Sequence, residues 1–190
     1  ARLLGIDVIV VDHHEIPALP PAAFAVLSPK RGDCAYPFKG LSAVGVAYKL
    51  LQALGRLLDT PLPAAGLDLV ALGTLADVQP VLGENRALVR AGLRELASSP
   101  RPGVRALREA AGTGTGPVGS REVSFRLVPR LNAGGRMASA KLAVDLLLAA
   151  DESSAARLAG EIERHNLARQ EAGQRVTRDA LEQADSALLI

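Results

Sequence analysis

Cysteine occurs once in this chain, tryptophan not at all, and aromatic residues make up only 3% of it. The lone thiol, Cys34, has no partner for an internal disulfide, so the sequence points to a reducing cytoplasm. It also leaves no thiolate set for a zinc site built on cysteine. Scarce aromatics argue against a base-stacking platform for nucleic acid. No apolar run reaches the ~20 residues that span a bilayer, so no membrane is expected as a partner. The opening, Ala1-Arg2-Leu3-Leu4, carries neither an initiator methionine nor the layout of a secretion signal. It reads as an entry into the middle of a fold, and the chain is expected to be a fragment of a longer polypeptide.

What remains is a hydrophobic content of 48% and a mild net charge of +2. The 190 residues suffice for one domain with a core, or one domain and part of another. Arginine far outnumbers lysine. Guanidinium forks suit phosphate oxygens, although a GC-rich genome produces the same bias. Of the 3 histidines, two are adjacent.

Those two form the triplet Asp12-His13-His14, directly after the apolar, β-branched run Ile6-Asp7-Val8-Ile9-Val10-Val11. That run predicts a strand buried on both faces. The carboxyl end of such a strand is where open α/β sheets bind ligands. Carboxylate and imidazole together suit Mn²⁺, Mg²⁺ or similar ions that activate water. Adjacent residues point to different sides, so one histidine is expected on a metal and the other toward substrate. The plainer alternative is a capped turn with two partly exposed histidines.

Further along, a short strand is expected at Ala25-Val26-Leu27. Ser42 can cap a helix to about Leu54, with Val44, Ala47, Leu51 and Leu54 at core spacing and Gly55 stopping it. Leu67 to Ala76 is nearly all apolar and predicts a buried helix ending at Asp77-Val78-Gln79-Pro80, where Pro80 forbids continuation. Asp77 then stands at the unfavourable end of the helix dipole, a cost that a bound cation offsets; an ordinary polar helix stop is the alternative. Helices are expected over 84–97 and 102–111. Arg86, Arg90 and Arg94 share one face, with Arg101, Arg105 and Arg108 close behind: a surface tracking a nucleic-acid backbone, or simply a solvated face. Residues 112–117, rich in Gly and Thr, read as a connector.

Val123 to Val128 is expected to be a strand, followed by a loop, Pro129-Arg130-Leu131-Asn132-Ala133-Gly134-Gly135-Arg136-Met137. Its glycines let the backbone approach closely or take positive φ, and Arg130 and Arg136 could fork onto phosphate. Solvent-facing arginines on a turn are the alternative. Ser139 caps a helix to about Ala150. Asp151 starts a long, largely polar helix to about Ala184, spanning roughly 45–50 Å, of the kind that bridges domains. Ser186 to Ile190 looks like the first strand of a second domain.

Taken together, these blocks resemble a known family. Val8-Ile9-Val10-Val11-Asp12-His13-His14 is similar to the signature of the DHH phosphoesterases, and Leu69 to Val78 to the family's later aspartate motif. Pro129 to Arg136 resembles the motif of its RecJ branch, the single-strand-specific 5′→3′ DNA exonucleases. Gly40 to Ala47 fits the helix of that branch.

The resemblance implies an α/β fold: a parallel β-sheet flanked by helices, the DHH domain, ending in a long interdomain helix. Residues 1–150 would form the C-terminal part of that domain, 151–185 the connecting helix and 186–190 the start of a second domain. It implies a two-metal Mn²⁺ or Mg²⁺ site with His13 and Asp77 as ligands and Asp12 as ligand or support. His14 would face the scissile phosphate, and Asn132, Arg136 and Arg130 would hold substrate phosphate. The implied reaction is hydrolysis of single-stranded DNA from the 5′ end, in DNA repair and recombination. Partners such as single-strand-binding protein and a helicase are suggested. Alternatives are a DHH phosphoesterase for pyrophosphate, polyphosphate, cyclic dinucleotides or very short RNA, or a module that only binds nucleic acid.

The chain departs from the family by lacking the upstream His-x-Asp-x-Asp motif and a further Asp before the triplet. Two hard cations cannot be satisfied by Asp12, His13 and Asp77 alone, so the isolated piece is expected to be inactive.

Overall fold

The computed structural model describes residues 1–60, 66–137 and 139–188, except for the side chains at 2, 136, 137 and 185–188. The chain folds into two compact units. One comprises Ala1–Ser98 with Pro117–Ser120, the other Ser99–Gly116 with Arg121–Ile190.

The first unit holds a parallel pair of strands, β1 (Ile9–Val11) and β2 (Ala25–Leu27), with Val10 opposite Val26. Three helices accompany them: α1 (Ala43–Leu57), α2 (Leu67–Ala76) and α3 (Gly83–Ala97). Helix α2 is the centre of this unit and packs on both α1 and α3. It is apolar but for Asp68 and Thr74, as expected of a buried helix; Val70, Ala71 and Leu72 are buried, and buried Thr74 hydrogen-bonds with Ser42 at 2.8 Å. Gly92 of α3 permits the close approach to α2, because a Cβ there would overlap the Leu67 carbonyl oxygen.

Several expectations change here. The first strand is shorter than the apolar run, and Ile6, Val8 and Ile9 are exposed rather than buried on both faces. Among the described residues the sheet has two strands, so nothing in it covers the far side of β1. Helix α1 does start on Ser42, whose Oγ accepts from the Gly45 N–H. It runs through Gly55, which is buried, and ends at Leu57. The left-handed residue that follows is Asp59 (φ 46°), doing what a glycine usually does. Leu51 and Leu54, placed at core spacing, are exposed.

Helix α2 ends in a Schellman motif. The Val78 N–H donates to the Leu75 carbonyl (3.3 Å) and the Gln79 N–H to the Thr74 carbonyl (3.2 Å). The left-handed position of that motif belongs to Val78 at φ 54°. A β-branched side chain there costs about 1–2 kcal/mol. The motif persists because its surroundings hold it: buried Asn85 of α3 donates to the carbonyls of both Pro80 (3.0 Å) and Gly40 (2.7 Å).

Among its described residues, the regular structure of the second unit is all helical. It contains α4 (Pro102–Ala110), a continuous run of α5 (Ser120–Glu122), a π-helical turn (Val123–Leu127) and α6 (Val128–Met137), then α7 (Ala140–Leu147) and α8 (Glu152–Leu188). Its core includes Val104, Leu107, Val123, Leu127, Leu146 and Ile162. Gly103 lets α4 reach α7, since a Cβ there would overlap the Leu146 carbonyl oxygen.

The strand expected over 123–128 is therefore a π turn, with the Val128 N–H bonded to the Val123 carbonyl. Pro129 supplies the reason. It has no N–H, and in an α-helical register its ring would clash with the carbonyl four residues back; a wider turn removes the conflict. The loop expected over 129–137 is helix α6, and Gly134 is buried within it rather than free to take positive φ. Helix α7 starts on Ser139, as expected, and ends at Leu147. Asp151 caps α8 by accepting from the Ser154 N–H (2.8 Å). Residues 186–188, expected to open a strand, continue this helix, while 189 and 190 lie outside the described residues.

Candidate metal centre

The triplet hangs from the end of the β ladder. The Asp12 N–H still donates to the Leu27 carbonyl at 3.0 Å, and the chain then turns on the Asp12 side chain. Its Oδ1 accepts from the His13 N–H (2.7 Å), the His14 N–H (3.3 Å) and His14 Nδ1 (2.7 Å). The His14 hydrogen bond, then the His13 N–H, hold the Asp12 carboxyl below the usual carboxylate range. A carboxylate only accepts, so His14 Nδ1 carries a proton. The His14 side chain is 74% exposed.

His13 is buried. Its Nε2 lies 3.3 Å from Oδ2 of Asp77, the residue that caps the C-terminus of α2. The two imidazole rings stand 4.4 Å apart, centroid to centroid. Ligand atoms of Asp12, His13 and His14 all lie within 4.8 Å of one another. The two rings lie side by side yet meet different groups: buried His13 faces Asp77, and exposed His14 bonds to Asp12.

This donor set fits a divalent cation. It offers imidazole and carboxylate and no thiolate, the choice of Mn²⁺, Mg²⁺ or similar ions. His13 and Asp77 are close enough to share one ion, and Asp12 has a second oxygen left over. The set is still too small for two hard cations.

Sequence reasoning passed over Gln79 except as part of a helix stop. Its Nε2 donates to Asp77 Oδ2 (2.8 Å) and sits 3.5 Å from His13 Nδ1. The available signal was an amide two residues after the candidate ligand and just before a proline, which restricts its backbone.

The other predicted residues belong to the second unit. Arg130 lies on α6 with its guanidinium already engaged. Nη2 donates to Glu163 Oε1 (3.0 Å), Nε stands 2.5 Å from Glu163 Oε2, and Nη1 donates to the Arg126 carbonyl (2.7 Å). Glu163, on α8, was another residue missed. Asn132 is exposed on α6, beside a cavity of about 420 Å³ lined also by Leu131, Gly135, Ala140 and Ala143. The Arg136 side chain lies outside the described residues. Of the basic stripe, Arg86, Arg90 and Arg94 are exposed on α3, whereas Arg105 pairs with Glu152 and buried Arg108 donates to the Gly116 carbonyl.

Residues 1–74 match the DHH family, N-terminal domain. The chain is 42% identical to the single-stranded-DNA-specific exonuclease RecJ of Bacillus subtilis over 186 residues, and 41% identical to that of Thermus thermophilus over 181. Its similarity to RecJ covers 97% and 95% of this chain but 23% and 26% of those two relatives. A solved structure of exonuclease RecJ bound to manganese superimposes with a TM-score of 0.83 at 40% identity, covering 96% of this chain and 46% of that one. The Mn²⁺ complex of RecJ from Thermus thermophilus gives 0.83 at 41%, covering 95% and 27%. Among the described residues, no helix of this chain is long and apolar enough to cross a membrane.

Proposed function

We propose that this chain is the core of a metal-dependent exonuclease that hydrolyses single-stranded DNA from its 5′ end, in repair and recombination. One observation carries the reading: His13 and Asp77, remote in sequence, meet at 3.3 Å beside a turn that also gathers Asp12 and His14. The likeness to RecJ proteins, two of them solved with manganese, supports single-stranded DNA as substrate and Mn²⁺ or Mg²⁺ as cofactor.

In this reading His13 and Asp77 hold metal, and Asp12 organises the turn and lends its free oxygen. The chemistry supplied by a bound cation is activation of water and neutralisation of phosphate charge. His14, exposed at the turn, faces the scissile phosphate. Asn132 and Arg136 hold substrate phosphate; Arg130 supports them through Glu163. Residues 1–150 are the C-terminal part of a DHH domain, α8 is its connecting helix, and the remaining ligands and a second domain lie elsewhere in a longer polypeptide. The enzyme works in the cytoplasm, with single-strand-binding protein and a helicase as partners.

The test is a nuclease assay of the full-length protein with Mn²⁺. Short 5′-labelled single strands should be degraded to mononucleotides, with duplex, pyrophosphate and cyclic dinucleotides left intact. Preferential hydrolysis of the small phosphates would instead indicate another DHH phosphoesterase. No hydrolysis of any substrate would leave a binding module.

A further inference from the structure

We infer that Gln79 is a positioning residue that selects the ligating form of His13; the inference rests on His13 and Asp77 being metal ligands. The backbone of Gln79 is held on both sides. Before it, Val78 is locked at φ 54° in the Schellman motif, and the Gln79 N–H is bonded to the Thr74 carbonyl. After it, Pro80 confines Gln79 to extended conformations, and Asn85 grips the Pro80 carbonyl at 3.0 Å. This folds the Gln79 side chain back over the end of α2. There its amide nitrogen meets Asp77 Oδ2 at 2.8 Å and His13 Nδ1 at 3.5 Å. His13 Nε2 meets the same Asp77 oxygen at 3.3 Å, so imidazole, carboxylate and amide close a triangle.

In this arrangement the amide nitrogen can only donate, so His13 Nδ1, 3.5 Å away, accepts, and the His13 proton sits on Nε2, the atom 3.3 Å from Asp77 Oδ2. An imidazole that ligates through Nε2 needs the opposite tautomer, with the proton on Nδ1 and an acceptor to hold it there. An amide has both faces. A half-turn about its last side-chain torsion exchanges nitrogen for oxygen, and Oε1 then accepts from Nδ1–H. The imidazole loses a proton from Nε2 and gains one on Nδ1 through solvent, with no net change in charge. The same half-turn replaces the amide donor beside Asp77 Oδ2 by Oε1, an oxygen pair whose repulsion a cation between them relieves. Gln79 thus readies both ligands in one movement. A hydrophobic residue at this position supplies neither face.

The experiment is a calorimetric Mn²⁺ titration of the full-length protein, freed of metal by chelator, with its melting temperature recorded in the absence of metal. Gln79→Met keeps the side-chain length and removes both faces. It should weaken Mn²⁺ binding by about 10- to 100-fold with little change in melting temperature. Gln79→Glu, which offers Nδ1–H a permanent acceptor, should bind Mn²⁺ at least as tightly as wild type. Wild-type affinity in Gln79→Met, or weakened binding in Gln79→Glu to the level of Gln79→Met, overturns the inference. His13→Ala separates it from the reading beneath it. If that variant binds Mn²⁺ like wild type, the metal assignment itself fails, whatever Gln79 does.

Discussion

Two polar clusters in this chain draw on similar groups and end in opposite states. At the end of β1 and the tip of α2, the ring edge of His14, one oxygen of Asp12 and the 42%-exposed side chain of Asp77 face outward. Between α6 and α8, Arg130 and Glu163 meet with only 15% and 25% of their side chains exposed. The first cluster keeps donor capacity for something the protein must bind. The second spends its charges on each other and thereby fixes one helix against the next. A charged residue in a motif is therefore not by itself a substrate contact: what decides is whether its charge is left unpaired and exposed after folding.

Removing one ligand should give the largest difference between the clusters. In the full-length enzyme, Asp77→Asn or His13→Ala should lower turnover on single-stranded DNA by orders of magnitude, with melting temperature shifted by a few degrees at most. Wild-type turnover in both would erase the distinction. Next in size comes packing beneath the first cluster. Gly92→Ala should destabilise by about 3 kcal/mol in urea unfolding, because the new methyl group strikes the backbone of α2. A neutral result would mean that α2 and α3 are free to slide apart.

Glu163→Gln leaves the Arg130 charge half-paired and should cost roughly 1–3 kcal/mol of stability. In kinetics it should raise KM and spare kcat. A kcat loss as large as that of Asp77→Asn would make the two clusters alike after all. Val78→Gly works in the other direction. Val78 is 86% exposed, so glycine sacrifices no burial and relieves the left-handed strain. A gain of about 1 kcal/mol is expected, less the extra freedom of the unfolded chain.

The smallest effect concerns pH. Burial pushes the Glu84 carboxyl upward, but hydrogen bonds with Lys49 (2.6 Å) and Tyr36 (2.7 Å) outweigh it and leave the group below its usual 4.5. The hydrogen bond to Glu84 holds the Lys49 ammonium above its usual 10.5. The Glu84 contribution is present above pH 4.5 and disappears as pH falls through the lowered value. The Lys49 contribution is present below pH 10.5 and disappears as pH rises through the raised value. Unfolding measured from pH 3 to 7 should show a shallow acid limb that Glu84→Gln flattens. An identical limb in that variant would remove the cluster from the account.

Much of this was legible in the amino acids themselves. Helices α2 and α3, the Ser42, Ser139 and Asp151 caps, the Ala25–Leu27 strand and the triplet at a strand end all follow from local chemistry: hydrophobic period, a capping oxygen, a proline that stops a helix. Those signals act over a few residues, and the chain reports them directly.

Tertiary structure decided the rest. Val123 to Val128 carries β-branched residues, yet burial of Val123 and Leu127 in a helical unit overrides that preference and Pro129 widens the turn. Glycines 134 and 135 looked like a loop and lie in α6, where packing sets the backbone. Arg130 looked free until Glu163 arrived from a distant helix, and Gln79 looked like punctuation until the fold laid it against His13. Pairings of this kind depend on which distant groups are delivered to the same few ångströms, and that is settled by packing across the whole chain rather than by any short stretch of it.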